Sequence, residues 1–236
     1  DQENVALLMQ RYNLVSVPVV DDSERLVGVM MVDDIVDVLD EEADEDLKAL
    51  GGVKADEELS DSVWYTVKGR FPWLFANLLT ALISASVIDT FEASIQAMVA
   101  LAVLMPIVAS MGGNAGTQTM TVTVRAIATR QLGRANAWRV IRREMTVGLM
   151  NGLGFALLLG TMAALWSGVP GLGVIIGLAL MIVLTAAAVG GILIPLALHR
   201  LKIDPAVSSG PFVTTVTDVI GFFSFLGIAT LWLSRS

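Results

Sequence analysis

Between residues 71 and 233 the chain returns five times to an apolar stretch of membrane-crossing length, at 71–88, 95–124, 145–166, 172–198 and 207–233. A helix needs about 20 mostly apolar residues to span a bilayer, and in hydrocarbon only a helix or a closed barrel satisfies its own backbone polar groups. Five runs of this length predict a predominantly α membrane protein with five transmembrane helices per subunit. The 55% hydrophobic content and mean hydropathy of +0.71 exceed what one soluble core requires.

Charge divides the chain and orients it. The first 61 residues carry 18 acidic and 4 basic side chains, the remainder 5 acidic and 11 basic, so the net charge of −8 describes neither part. Lys68 and Arg70 precede the first span; Arg125, Arg130, Arg134, Arg139, Arg142 and Arg143 follow the second; Arg200 and Lys202 follow the fourth. On a five-span path these groups share one side, which the positive-inside rule makes cytoplasmic. The expectation is a multi-pass protein of the inner or plasma membrane, N-terminus cytoplasmic and C-terminus outside. The absence of cysteine excludes disulfides and thiolate metal sites.

Asp218 lies deep in the last apolar run. A charged side chain at that depth costs about 2.5–3.5 kcal/mol on insertion scales, and such residues mark ion paths, proton relays or pairing partners. Arg125 and Arg200 stand near the edges of their spans, which leaves a cation as the simplest partner. One carboxylate suits Mg²⁺, which keeps its waters and is usually held by one or two carboxylates; a symmetric dimer would bring two copies of Asp218 to a shared axis. A neutral aspartic acid bonded to Thr214, one turn earlier, is the alternative.

In the second span Pro106 and the stretch "SMGGNAGTQT" (110–119) weaken the helix and are expected to free carbonyls at membrane depth; close helix packing through small residues is the competing account. Asn77, Asn151 and Thr185 are expected to form interhelical hydrogen bonds, and His199 to sit at the membrane interface.

The head begins with a helix at 4–11, then strands at 15–20 and 26–32 around Asp21, Asp22 and Ser23, then a helix from Asp33. This order, with "LMQRYNLVSVPVVDDSERLVGVMMVDDIVDVL", resembles the C-terminal part of a CBS domain. The module's first helix and strand are missing, so the chain is expected to be a piece of a longer protein. Met30 replaces the hydroxyl residue usual three positions before Asp33, and nucleotide binding is not expected of this segment. Packing and dimerisation are. The expected division is a partial CBS domain at 1–39, an acidic connector with an amphipathic plug helix at 40–69, and a five-helix pore domain at 70–236.

In the connector, Asp34, Asp37 and Glu41 share one helical face and Glu42, Glu45 and Asp46 another. Such a run is either a solvated face or a cation sensor whose repelling carboxylates are neutralised by a divalent ion. Gly51 and Gly52 end this helix, and a second one at about 57–68 is expected to lie over a pore mouth.

The segments "PIVASMGGNAGTQTMTVTVR" from Pro106, "REMTVGLMNG" from Arg143, "LKIDPAVSSGPFVTTVTDVIGFF" from Leu201 and "DDIVDVLDEEADEDLKALGGV" from Asp33 resemble the MgtE family of magnesium channels. The resemblance implies a homodimer with a pore on its interface and a cytosolic Mg²⁺ sensor that closes it, Mg²⁺ being both transported and regulatory. By motif, Asp218 becomes the pore ligand, lined by Thr214 and by Gly112, Gly113, Asn114, Gly116 and Thr117. Asp34, Asp37, Glu42, Glu45 and Asp46 match sensor positions, Asp1 and Glu3 match acidic positions at the second CBS entrance, and Asp204 in "DPA" matches one at the cytoplasmic mouth. Asn13 replaces a frequent acid. The implied behaviour is a channel that conducts but responds weakly to internal Mg²⁺. The alternatives are a proton- or sodium-coupled divalent cation exchanger working through Asp218, and a sensor merely anchored by its spans. Membrane lipid is the other expected contact, with no nucleic acid and no obligate protein partner. An enzyme is not expected, because no base stands beside a nucleophile and no phosphate-cradling loop follows a strand.

Overall fold

The computed structural model describes residues 2–133 and 136–235, with Glu3 described by its backbone alone. Asp1 and Arg134, both named above, lie outside the described residues, as does the side chain of Glu3. The element order is α1 (Gln2–Tyr12), β1 (Ser16–Val20), β2 (Leu26–Met31), α2 (Val32–Leu50), α3 (Val63–Asp89), α4 (Glu92–Ala97), α5 (Ala100–Ala128), α6 (Ala137–Ser167), α7 (Pro170–Arg200) and α8 (Pro205–Leu233). Five of these helices, α3 and α5 to α8, are long and apolar enough to cross a membrane.

In the head, β1 and β2 pair antiparallel, Ser16 opposite Met31 and Val19 opposite Gly28. The Asp21 carboxylate closes the turn by accepting the Ser23 and Arg25 N–H groups at 2.8 and 2.9 Å. Ala6 and Met9 of α1 meet Ile35 and Val38 of α2 in a small core. Asn13 has φ 50, a left-handed conformation that asparagine tolerates better than most residues.

Helix α2 crosses the boundary drawn at residues 39 and 40 without interruption. Asp34 Oδ2 accepts the Met31 N–H at 2.8 Å, so this carboxylate secures the helix start. At the far end Gly51 closes α2 and Gly52 turns the chain away with φ +69. A Cβ at Gly52 would lie 2.0 Å from Nε1 of Trp73, and the far edge of the same indole lies 3.6 Å from a Cβ built at Gly210 of α8. Trp73 thus fills the gap between the end of α2 and the wall of α8.

The separate plug helix expected at 57–68 is corrected by the structure: residues 57–62 are irregular, and 63–68 form the first turns of α3, which runs unbroken into the membrane span. Ser62 supplies the cap, accepting the Tyr65 N–H, whereas the stretch from Lys68 to Phe71 offers no capping side chain. Glu57 in the loop is 7% exposed, and its Oε1 takes the Arg70 guanidinium, the Nε at 2.7 Å, tying the loop to α3.

Helix α7 has a mean hydropathy of 2.7 in its most apolar window and is 61% buried there, against 6% for α3. A helix apolar all round belongs in the middle, and α5, α6 and α8 surround it. Along the α6–α7 seam, Gly148, Gly152 and Gly160 repeat at four-residue multiples, and a Cβ at each would fall 2.7–2.9 Å from the α7 backbone.

Two expectations fail within the bundle. The 95–124 stretch divides into α4 and α5, because the short helix is tethered elsewhere: Ser94 Oγ lies 2.6 Å from Thr230 Oγ1 at the end of α8, and Met98 is extended. Helix α5 is continuous through 112–117, with no freed backbone. Its glycines serve the competing purpose of packing. A Cβ at Gly112 would come 2.7 Å from Val183, and one at Gly116 2.7 Å from Val213.

Candidate functional site

Asp218 stands near the midpoint of α8, half-buried, in a cleft of about 210 Å³ between α3 and α8. Thr214 and Thr215 line it from α8; Asn77, Thr80, Ala81 and Ser84 line it from α3. A polar cleft of this size has room for water. Among the described residues no basic side chain forms an ion pair with Asp218. Thr217, by contrast, is fully buried against Gly112 and Gly116, so adjacent residues on α8 divide packing from the cleft.

The sequence-derived lining separates into three groups. Thr214 shares the cleft with Asp218. Gly112 and Gly116 are buried against α7 and α8. Gly113 faces open space, and Asn114 and Thr117 are exposed on the outer face of α5, where Asn114 Nδ2 donates to Ser110 Oγ at 3.4 Å. Asn77 and Thr185 do not bridge helices as expected: Asn77 Nδ2 donates to Trp73 O at 3.1 Å and Thr185 Oγ1 to Met181 O at 2.7 Å, each within its own helix. Asn151 is exposed. The contribution of α3 went unrecognised in the sequence, although Asn77, Thr80 and Ser84 recur at three- and four-residue spacing and so share one face.

A second, larger cavity of about 1130 Å³ lies at the head end of the bundle, between α2 and the membrane helices. Glu42, Glu45 and Asp46 border it from α2, facing Arg125, His199 and Asp204. Asp204 also caps α8, its Oδ1 accepting the Ala206 N–H at 2.8 Å. Asp34 and Asp37 are exposed on the earlier part of α2, outside that cavity. Among the described residues no three carboxylates or histidines stand close enough together to hold a metal ion.

Burial pushes the Asp46 carboxyl above its ordinary range; nearby Asp204 and Glu45 add to the rise and Arg125 opposes it. The folded chain therefore holds this proton more tightly than the unfolded chain. That contribution is present below the ordinary carboxylate value and is lost as pH climbs through the raised one. Asp46→Asn is accordingly expected to raise the thermal unfolding temperature at pH 7 in Mg²⁺-free buffer, with the gain fading below about pH 4. A lowered unfolding temperature at pH 7 would mean that Arg125 outweighs burial.

Residues 105–228 match the MgtE family model, described as a divalent cation transporter, and residues 1–41 match the CBS domain model. The chain is 36% identical over 233 residues to a protein named magnesium transporter MgtE from Bacillus subtilis and 39% identical over 238 residues to one of the same name from Thermus thermophilus. Each match covers 99% of this chain and 52% of the relative, so the chain spans about half the length of these curated relatives.

Proposed function

The chain belongs to the MgtE family, and on that premise we propose that it conducts Mg²⁺ across the membrane through a homodimeric pore in which Asp218 is the carboxylate that meets the ion. The observation that carries this reading is a half-buried carboxylate at mid-span, in a polar cleft, with no ion-pair partner among the described residues. Uncompensated charge at that depth is costly, and a passing cation offsets the cost. Relatives named as magnesium transporters favour Mg²⁺ as the cargo. The ion's reluctance to dehydrate fits a cleft with room for water.

Regulation is assigned to α2. Its carboxylates repel one another, and the cavity they border reaches Asp204 at the start of α8. Cytosolic Mg²⁺ bound there would draw α2 towards the membrane helices and close the path. In this arrangement the N-terminus is cytoplasmic and the C-terminus outside, as the basic loops require.

The test is Mg²⁺ influx into liposomes containing the chain, driven by an imposed potential with pH and Na⁺ equal on both sides. Influx is expected under voltage alone. Influx that appears only with a proton or sodium gradient would overturn the channel reading in favour of an exchanger.

A further inference from the structure

On the side of α8 away from the Asp218 cleft, a groove of about 690 Å³ runs between α6, α7 and α8. Val216 and Ile220 line it from α8. Each stands two residues from Asp218, about 200° round a helix of 3.6 residues per turn, so groove and cleft occupy opposite faces. Along α7 the groove extends from Leu178 to Ile194, about 24 Å at 1.5 Å per residue, and Leu149 borders it from α6. Half of a hydrocarbon core about 30 Å thick is about 15 Å, so the groove can hold a lipid chain over the full depth of one leaflet. Thr185 is the one polar side chain among the described residues that line it. Its hydroxyl donates to Met181 O of its own helix at 2.7 Å, which leaves the lining side chains offering hydrocarbon contact only.

The head end of this groove is cationic. A Cβ at Gly148 would fall 2.7 Å from Leu184 O and 3.0 Å from the Ala188 side chain. Since α6 and α7 run antiparallel with equal rise, Arg142, six residues before Gly148, is level with about residues 190–194 of α7, where the groove ends. Arg142 also stands two turns before Leu149 and shares its face. It is exposed and, among the described residues, forms no ion pair, whereas Arg143 beside it is held by Glu144 at 2.6 Å. Trp138, one turn earlier on the same face and 71% exposed, is the kind of amphipathic ring that gathers at headgroup depth. We propose that the groove binds an anionic phospholipid, with one acyl chain lying between α6, α7 and α8 and the headgroup phosphate meeting the Arg142 guanidinium. Arginine grips phosphate through paired N–H donors. A zwitterionic lipid presents the same phosphate with a cation beside it and is held less tightly. The bound chain braces the face of α8 opposite Asp218, and the proposal stands whatever ion that carboxylate meets.

The test is native mass spectrometry of the chain released from mixed micelles that hold equal amounts of phosphatidylglycerol and phosphatidylcholine with identical acyl chains, which reads bound lipid and oligomeric state together. The parent chain is expected to retain phosphatidylglycerol in preference. Arg142→Gln should lower that preference by about fivefold, the worth of one basic residue at an anionic lipid surface, with lipid still retained. Lys68→Gln, on α3, which does not border the groove, should leave the preference unchanged. A Cβ at Gly190 would meet nothing closer than Val216 at 3.7 Å, so Gly190→Leu is expected to fold, to place its side chain in the groove and to lose the retained lipid. Arg142 is exposed, and its substitution keeps the test decisive if Gly190→Leu does not fold. Three results would each overturn the proposal. No preference in the parent, or an unchanged one in Arg142→Gln, removes the headgroup contact. An equal loss in Lys68→Gln reduces the effect to general surface charge. A Gly190→Leu protein that keeps its lipid but changes oligomeric state gives the groove to a second copy of the chain.

Discussion

Asp218→Asn is expected to reduce Mg²⁺ influx by between about tenfold and a hundredfold while leaving the protein at least as stable as before. The loss follows from charge: a contact to a charged group is worth about 1.5–3 kcal/mol, and the amide keeps the shape and one acceptor oxygen but gives up the charge. The gain in stability follows from the same substitution, because the folded chain no longer holds at mid-span a carboxylate that has no ion-pair partner among the described residues. The two measurements are influx under an imposed potential and thermal unfolding in detergent. A residue kept for structure would lose stability along with activity. One kept for the ion separates the two, and a fall in unfolding temperature with influx unchanged would place Asp218 among the packing residues.

Gly173→Leu is expected to prevent recovery of folded protein, and Gly173→Ala to lower stability by about 1–3 kcal/mol, the range for overpacking a close-packed site. A Cβ at this position would stand 2.3 Å from the carbonyl oxygen of Gly160 and 2.9 Å from the Ala164 side chain. The obstacle is backbone, which cannot rotate aside as a side chain would. Gly154, on α6 with nothing within 4 Å of a built Cβ, provides the control. Gly154→Leu should change stability by no more than about 0.5 kcal/mol. Equal damage from both substitutions would point away from the α6–α7 seam, since leucine is the better helix former at either position.

The membrane helices were legible in the sequence because hydrophobic length is a direct requirement of the bilayer. The order of the head was legible through Asp21, Asp22, Ser23 and the paired glycines. The state of the α5 backbone was not, since glycine permits both a broken helix and a close approach; Val183 and Val213, distant in sequence, decide between them. The start of α3 turned on Ser62, a single cap that propensity over 57–68 did not reveal. Asp218 announced itself by charge. Its neighbours on α3 did not, because Asn77, Thr80 and Ser84 are ordinary in a helix until α8 is placed against them.

Gly52 is barred from carrying a side chain twice over, by its φ of +69 and by the Trp73 indole pressed against it. That indole's other edge meets Gly210, eight residues before Asp218, or about 12 Å along a helix that rises 1.5 Å per residue. The end of α2 is consequently coupled through one indole to the helix that carries Asp218. A shift at the end of α2 meets that indole directly, whatever the irregular chain at 53–62 absorbs, and so bears on α3 and α8 together. A single tryptophan therefore decides how far a movement of the head is felt along α8.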